Sequence, residues 1–222
     1  MSQELWTAVD SYVEGLLIGP DAALDAALAT SVAAGLPEIA VTPSQGKLLF
    51  LLARMVGARR ILEIGTLGGY STIWLARALP ADGGVVTLEA DPKHFEVARK
   101  NIARAGLAKV VDQRLGLALE TLAELVEEGA GPFDFVFIDA DKENTAEYFG
   151  WAVHLSRPGT AILVDNVVRE GELADAATTD PQVLAMRRFH DALAADIRVS
   201  ATTIQTVGGK GYDGFTLAVV GG

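Results

Sequence analysis

The sequence contains no cysteine and only three histidines in 222 residues. Without cysteine it can form neither a disulfide nor a thiolate metal site, so a bound metal ion must take oxygen or imidazole ligands. His94, His154 and His190 stand far apart, in predicted helices and without the H-E-x-x-H spacing of a zinc site. We therefore expect packing or solvent-exposed roles for these three residues and oxygen ligands for any cation.

Membrane-spanning runs and an excess of positive charge are also missing. No apolar stretch free of charged residues is long enough to cross a bilayer, and no basic segment followed by an apolar core opens the chain. The formal net charge of −11 opposes long-range attraction to nucleic acid or to anionic membranes. These absences predict a cytoplasmic protein that binds neither nucleic acid nor a membrane.

The sequence does contain a regular alternation of strand-like and helix-like segments, which predicts one domain over residues 1–222. Hydrophobic residues make up 50% of the chain, enough for one sizeable core. Residues 1–40 are predicted to form an N-terminal helical cap of two helices, broken at Gly19-Pro20, that could cover a site or pair with another subunit. The rest predicts an α/β fold with a doubly wound, mostly parallel, seven-stranded sheet and helices on both faces.

Seven apolar runs are predicted as strands, and the last two form an antiparallel hairpin around Gly208-Gly209-Lys210-Gly211. These runs are Arg60 to Ile64, Val85 to Glu89, Val110 to Arg114, Phe133 to Ile138, Thr160 to Val164, Ile197 to Ile204 and Phe215 to Val220. Helices are predicted from Pro43 through Leu52 and at Tyr70 to Leu79, Pro92 to Ala105, Leu117 to Glu128, Glu143 to Ser156 and Pro181 to Ala195. The polar stretch from Val167 to Asp180 is predicted to be a mobile loop.

Two acidic clusters, Asp139-Ala140-Asp141-Lys142 and Asp165-Asn166, each follow an apolar predicted strand. In a parallel sheet both emerge at the carboxyl edge, where open α/β folds bind their ligands. Two carboxylates, an amide oxygen and a lysine at one edge suit a hard divalent cation with a base beside it. Either cluster alone could instead form a turn or cap a helix, but their joint occurrence favours the cation site.

A glycine-containing turn, Glu63 to Ser71, follows the first predicted strand and opens a helix. Leu67 stands where the dinucleotide fingerprint G-x-G-x-x-G requires glycine, which disfavours a pyrophosphate cradle and a nicotinamide-dependent dehydrogenase. Glu63 would repel a phosphate, but it could accept a hydrogen bond from an α-ammonium group or balance a sulfonium cation. Glu89 is placed to accept from both ribose hydroxyls, or else to cap a helix. S-adenosylmethionine meets all of these requirements.

Five segments together resemble the cation-dependent O-methyltransferases, the family that contains catechol O-methyltransferase and caffeoyl-CoA O-methyltransferase, with the bacterial members most similar. The segments are Val41 to Gly46, Leu62 to Ser71, Gly116 to Glu120, Phe137 to Lys142 and Val164 to Asn166. The resemblance extends from about Val41 to the C-terminus. It implies a Rossmann-like methyltransferase, a homodimer, that moves a methyl group from S-adenosylmethionine to a hydroxyl of a small vicinal-diol aromatic, of catechol or caffeoyl type.

The resemblance also implies roles for individual residues. Asp139, Asp165 and Asn166 would bind the divalent cation, with Mg²⁺ expected first and Mn²⁺ or Ca²⁺ suited to the same oxygen ligands. Lys142 would be the catalytic base, with Asp139 as a second catalytic residue. The contacts to S-adenosylmethionine would come from Val41, Glu63, Gly65, Thr66, Ser71, Glu89, Ala118, Asp139 and Asp141.

Two positions depart from the family pattern, and both bear on the acceptor pocket. Thr145 stands where a tyrosine is common, and Arg169 where an aromatic residue is common. Two other functions stay open. An RNA methyltransferase is disfavoured by the acidic balance of the chain, and a non-catalytic S-adenosylmethionine-binding protein is disfavoured by the complete set of cation ligands and base.

Overall fold

A computed structural model describes residues 2–222 and contains eight α-helices and seven strands within that range. The helices are α1 Gln3–Leu17, α2 Ala22–Ala33, α3 Pro43–Met55, α4 Tyr70–Ala78, α5 Pro92–Arg104, α6 Ala118–Glu127, α7 Thr145–His154 and α8 Pro181–Ala195. The strands are β1 Arg60–Ile64, β2 Gly84–Glu89, β3 Val111–Leu115, β4 Phe133–Ile138, β5 Ser156–Asp165, β6 Val199–Gly208 and β7 Gly211–Val220. Within these residues no helix combines the length and the hydropathy needed to cross a membrane.

The seven strands form one sheet in the order β3-β2-β1-β4-β5-β7-β6. Strands β1 to β5 pair in parallel, while β7 lies antiparallel between β5 and β6. The predicted fold class is therefore confirmed, including the antiparallel hairpin at the end of the chain. The strand order reverses direction at β1, and ligands of open α/β sheets bind at such a switch point, outside the carboxyl ends of the strands.

The central strands are apolar on both faces because helices cover both sides of the sheet. On one face Ile61 and Phe135 pack with helices α2 to α5. On the other face Leu62 and Val136 pack with α6, α7 and α8. Each strand end is therefore held between two apolar layers, which fixes the positions of the side chains that follow the strands.

Three regions differ from the predicted elements. The hairpin strands are longer than predicted, because β6 continues to Gly208 rather than Ile204 and β7 begins at Gly211 rather than Phe215. Strand β5 begins at Ser156 rather than Thr160, because an irregularity in the pairing of β4 and β5 brings Ser156 opposite Phe133. The stretch predicted as a mobile loop contains 3₁₀ turns within Arg169–Ala174, interrupted at Glu170 and Gly171, whose φ angles are 56° and 90°. The Arg187 guanidinium of α8 donates to the Leu173 carbonyl at 3.0 Å, which anchors the end of this turn to the helix behind it.

Candidate active site

The strand register brings the polar residues that end four strands into one row. Ile64 of β1 pairs with Leu88 of β2 and with Ile138 of β4, and Ile138 pairs with Val164 of β5. The next residues after Ile64, Leu88, Ile138 and Val164 are Gly65, Glu89, Asp139 and Asp165, respectively. The sequence pattern and the sheet together therefore place the glycine turn, Glu89 and both acidic clusters at a single edge.

The glycine turn after β1 is shaped by a close approach to β4. Gly65 has φ +101°, and a Cβ there would lie 2.1 Å from the Asp139 carbonyl oxygen, so this position requires glycine. Leu67 also has a positive φ, 49°, which is uncommon for a branched side chain. Its N–H donates to Glu89 Oε2 at 2.8 Å. Glu89 thereby holds the turn in its unusual conformation from the neighbouring strand.

A cavity of about 850 Å³, here named the donor cavity, opens beside this turn. Five of the nine residues predicted to contact S-adenosylmethionine line it: Gly65, Glu89, Ala118, Asp139 and Asp141. Two residues to which the sequence assigned no donor role line it as well. His94 Nδ1 lies 3.6 Å from Glu89 Oε1, and the Tyr148 hydroxyl donates to Asp141 Oδ1.

The other four predicted donor contacts lie elsewhere. Val41 is buried and lines a neighbouring cavity, while Glu63, Thr66 and Ser71 are buried behind the glycine turn. Glu63 is completely inaccessible to solvent and accepts hydrogen bonds from Ser71 Oγ and Thr87 Oγ1, both at 2.6 Å, and from Thr72. Its carboxyl group thus faces three hydroxyl donors of the protein.

Burial raises the pKa of Glu63 from 4.5 to about 7, although the three hydroxyl donors oppose the rise. Because the folded state holds this proton more tightly, folding stability should fall as the pH rises from 4.5 to 7, by about 3 kcal/mol for this group. Glu63→Gln cannot ionise, so its urea-unfolding free energy should lack this fall. An exposed Glu127→Gln control should retain it; equal pH dependence in wild type and Glu63→Gln would contradict the assignment.

Lys142 joins the two acidic clusters. Its Nζ lies 3.0 Å from Asp139 Oδ1 and 3.2 Å from the backbone oxygen of Asp165. The Asp165 side chain is buried, and Gln45 Nε2 donates to its Oδ2 at 2.6 Å. Burial raises the pKa of Asp165, and the charge of Asp139 raises it further. Lys142 therefore pairs directly with the Asp139 carboxylate, while the buried Asp165 carboxylate accepts from the Gln45 amide.

This arrangement fits a divalent cation. A desolvated carboxylate beside a second carboxylate is unfavourable unless positive charge compensates for both. Asn166, with φ +57°, follows Asp165 and offers an amide oxygen at the same edge. Over residues 2–222 no group of three or more His, Asp or Glu side chains is placed to hold a metal ion. Asp139, Asp165 and Asn166 would therefore supply only part of the coordination shell of a cation. The remaining coordination positions would be left for substrate and water.

A second cavity, of about 580 Å³, lies on the other side of the acidic clusters and is here named the acceptor cavity. Asp165 and Lys210 line it, and it meets the donor cavity at Ile39, Asn166 and Arg169. The wall that carries Arg169 is fixed by the last strand. Asp213 Oδ1 accepts from the N–H groups of Val168 and Arg169, at 2.9 and 3.0 Å.

Three residues outside the predicted site set make contacts that shape the site. Gln45 contacts Asp165, Tyr148 contacts Asp141 and Asp213 supports the loop after Asn166. Two of them had partial sequence indications, since Gln45 lies in a segment that resembles the family and Asp213 precedes a glycine in the hairpin strand. No sequence pattern pointed to Tyr148. It lies one helical turn beyond Thr145, and it is the position of Thr145 at which family members commonly have a tyrosine.

A mixed seven-stranded sheet of this order, with a glycine turn after β1 and an acid at the end of β2, defines an S-adenosylmethionine-dependent methyltransferase. Residues 22–219 match the model of the O-methyltransferase family. The chain belongs to that family.

Individual relatives agree with this assignment. The chain is 54% identical to a catechol O-methyltransferase of Niastella koreensis over 99% of its own length and all of the relative. A crystal structure of an O-methyltransferase from Bacillus cereus in complex with SAH covers 99% of this chain and 100% of its own, with 58% identity and a TM-score of 0.97. The O-methyltransferase TomG of Streptomyces achromogenes, solved with SAM, has 53% identity and a TM-score of 0.96, with 100% coverage of both chains.

Proposed function

We propose that this enzyme is a divalent-cation-dependent O-methyltransferase that methylates one hydroxyl of a vicinal-diol aromatic molecule. One observation carries the proposal: Lys142, Asp139, Asp165 and Asn166 meet where the donor and acceptor cavities adjoin. A hydroxyl placed there would have a base, two carboxylates and an amide oxygen within one small region. The name of the Niastella koreensis relative, a catechol O-methyltransferase, supports an acceptor of catechol type.

The residues of the site have separate tasks in this proposal. Asp139, Asp165 and Asn166 would hold Mg²⁺, or Mn²⁺ or Ca²⁺ in its place, and a bound cation supplies Lewis-acid polarisation of the acceptor hydroxyls. Lys142 would accept the proton of the attacking hydroxyl as a neutral amine, once the bound cation balances the charge of Asp139 in its place. Glu89 and Asp141, on the wall of the donor cavity, orient the methyl donor, so that oxygen, methyl carbon and sulfur can align for direct displacement.

The acceptor class is tested by incubating the purified enzyme with labelled S-adenosylmethionine, Mg²⁺ and a matched set of acceptors. We expect methyl transfer to catechol and to caffeic acid, and little transfer to phenol or resorcinol, which lack adjacent hydroxyls. Product masses and positions identify the methylated oxygen. Labelling of bulk tRNA in the same assay would favour an RNA methyltransferase instead, and donor binding without transfer to any acceptor would favour a non-catalytic binder.

We also propose that the enzyme is a homodimer, because helix α1 is oriented with its apolar side toward solvent. Leu5, Val9, Tyr12 and Leu16 recur at helical spacing and are each at least 50% exposed. An exposed apolar stripe of this kind is typical of a surface that another subunit covers. Tyr12→Glu combined with Leu16→Glu should convert the dimer to the 23.3 kDa monomer in light scattering. The exposed control Ile197→Glu should remain dimeric; a wild-type monomer would refute the proposal.

A further inference from the structure

A third cavity lies under helix α1, and we name it the side pocket. Its volume is about 340 Å³. Its floor is formed mainly by apolar side chains of α2, the segment before α3 and the glycine turn: Leu28, Val32, Leu36, Pro37, Val41 and Leu67. An apolar cavity of about 150 Å³ is enough to bind benzene. The side pocket therefore has room for roughly two groups of that size.

The side pocket adjoins the acceptor cavity. Asp10, Glu38, Thr42 and Lys210 line both spaces and form a polar neck between them. The Lys210 ammonium group donates to the Ala40 carbonyl, which holds this side chain at the neck. A molecule bound beside Asp165 would reach the side pocket by passing between these four residues.

Helix α1 covers the side pocket with its polar side. Thr7, Asp10, Ser11 and Glu14 follow helical spacing and face the pocket. The helix is held at two places, because Glu14 Oε1 accepts from the N–H and the hydroxyl of Ser44, both at 3.2 Å, and Asp10 Oδ2 accepts from Gly209 N–H at 2.6 Å. The pocket is thus a preformed space with an apolar floor and a polar cover, as small-molecule sites commonly are.

We infer that the side pocket binds an apolar substituent of the acceptor while the vicinal hydroxyls of the same molecule lie beside Asp165 and Asn166. This inference rests on the proposed function. The neck carries two carboxylates, Asp10 and Glu38, and one ammonium, Lys210, so it favours a neutral or cationic link over an anionic one. The preferred acceptors are therefore catechols extended by an alkyl chain or a second ring through an uncharged or cationic linker.

A series of 4-alkylcatechols, from catechol itself to 4-hexylcatechol, tests the inference. We expect KM to fall with chain length once the chain passes the neck, by up to about fourfold for each buried methylene, with little change in kcat. Val32→Trp places a large side chain in the floor at a position that is 51% exposed. This substitution should lower kcat/KM for 4-hexylcatechol, relative to kcat/KM for catechol, by more than tenfold. Ala29→Trp, on the exposed side of the same helix, should keep the wild-type ratio.

Binding without turnover provides a second readout. With S-adenosylhomocysteine and Mg²⁺ present, calorimetric titration of 4-hexylcatechol should show weaker binding to Val32→Trp than to wild type or Ala29→Trp. A wild-type KM that is independent of chain length, with catechol still methylated, would overturn the inference and leave the proposed function intact. Weaker binding of S-adenosylmethionine to Val32→Trp in the absence of acceptor would assign the pocket to the donor, which also overturns it. Failure to methylate catechol at all would overturn both proposals.

Discussion

Lys142→Ala should lower turnover by about 10²- to 10⁴-fold, the usual contribution of a positioned general base, while S-adenosylmethionine binding stays nearly unchanged. The Lys142 amine lies 3.0 Å from Asp139 Oδ1, at the boundary between the donor and acceptor cavities. Without it, the attacking hydroxyl loses its proton acceptor. Single-turnover kinetics and donor titration measure the two effects separately. Lys109→Ala, an exposed lysine near the amino ends of the strands, should retain full activity.

A base role must be separated from a structural role of Lys142 beside Asp139. Lys142→Arg keeps a cation that can pair with Asp139, but a guanidinium group does not accept a proton at working pH. If Lys142 is the base, Lys142→Arg should be nearly as slow as Lys142→Ala. Substantial recovery of turnover in Lys142→Arg would assign Lys142 to orienting Asp139, and near-normal turnover in Lys142→Ala would remove it from the mechanism.

Chelation of divalent cations should lower methyl transfer by about 10²-fold or more, since Lewis-acid stabilisation is worth several kcal/mol, and added Mg²⁺ should restore it. The reason is the pair formed by Asp139 and the buried Asp165, because burial and the charge of Asp139 both make an ionised Asp165 carboxylate unfavourable until a cation compensates for it. Activity assays after chelator treatment and gel filtration, with Mg²⁺, Mn²⁺ and Ca²⁺ added back singly, measure the effect. Full activity in the metal-free enzyme would contradict cation dependence.

Thermal unfolding supplies a readout of cation binding that does not depend on activity. At a hundredfold excess over Kd, a bound cation stabilises the folded state by about 2.7 kcal/mol, which corresponds to a Tm increase of roughly 5 to 10 °C for a domain of this size. Asp165→Asn should lose most of this increase. Asp191→Asn, at an exposed carboxylate of helix α8 outside the site, should keep it. An equal Tm increase in wild type and Asp165→Asn would place the cation elsewhere.

The residues at the carboxyl edge of the sheet could be predicted because local sequence patterns identify them. Each apolar strand and the polar residue that ends it are adjacent in the sequence, and parallel pairing then brings Glu89, Gly65, Asp139 and Asp165 together without further assumptions. The fold class and the family resemblance were confirmed for the same reason. Such patterns report secondary structure and topology well, since both depend on the period of apolar residues.

The contacts that complete the site could not be predicted in this way. Gln45 contacts Asp165, from which it is separated by 120 positions in the sequence, and Asp213 contacts Val168 over a separation of 45 positions. Such contacts depend on how helices and strands pack in three dimensions. The local spacing of apolar residues does not determine that packing. The positive φ of Leu67 was unpredictable too, because the Glu89 hydrogen bond that supports it comes from a different strand.

The position of β7 has a consequence for the order in which the enzyme folds. This strand follows β6 in the sequence, yet it lies between β5 and β6 in the sheet, and its Asp213 fixes the backbone beside Asn166. A nascent polypeptide can therefore assemble the parallel strands during synthesis but not the finished catalytic edge. Competence for methyl transfer should arise only once β7 has entered the sheet between β5 and β6.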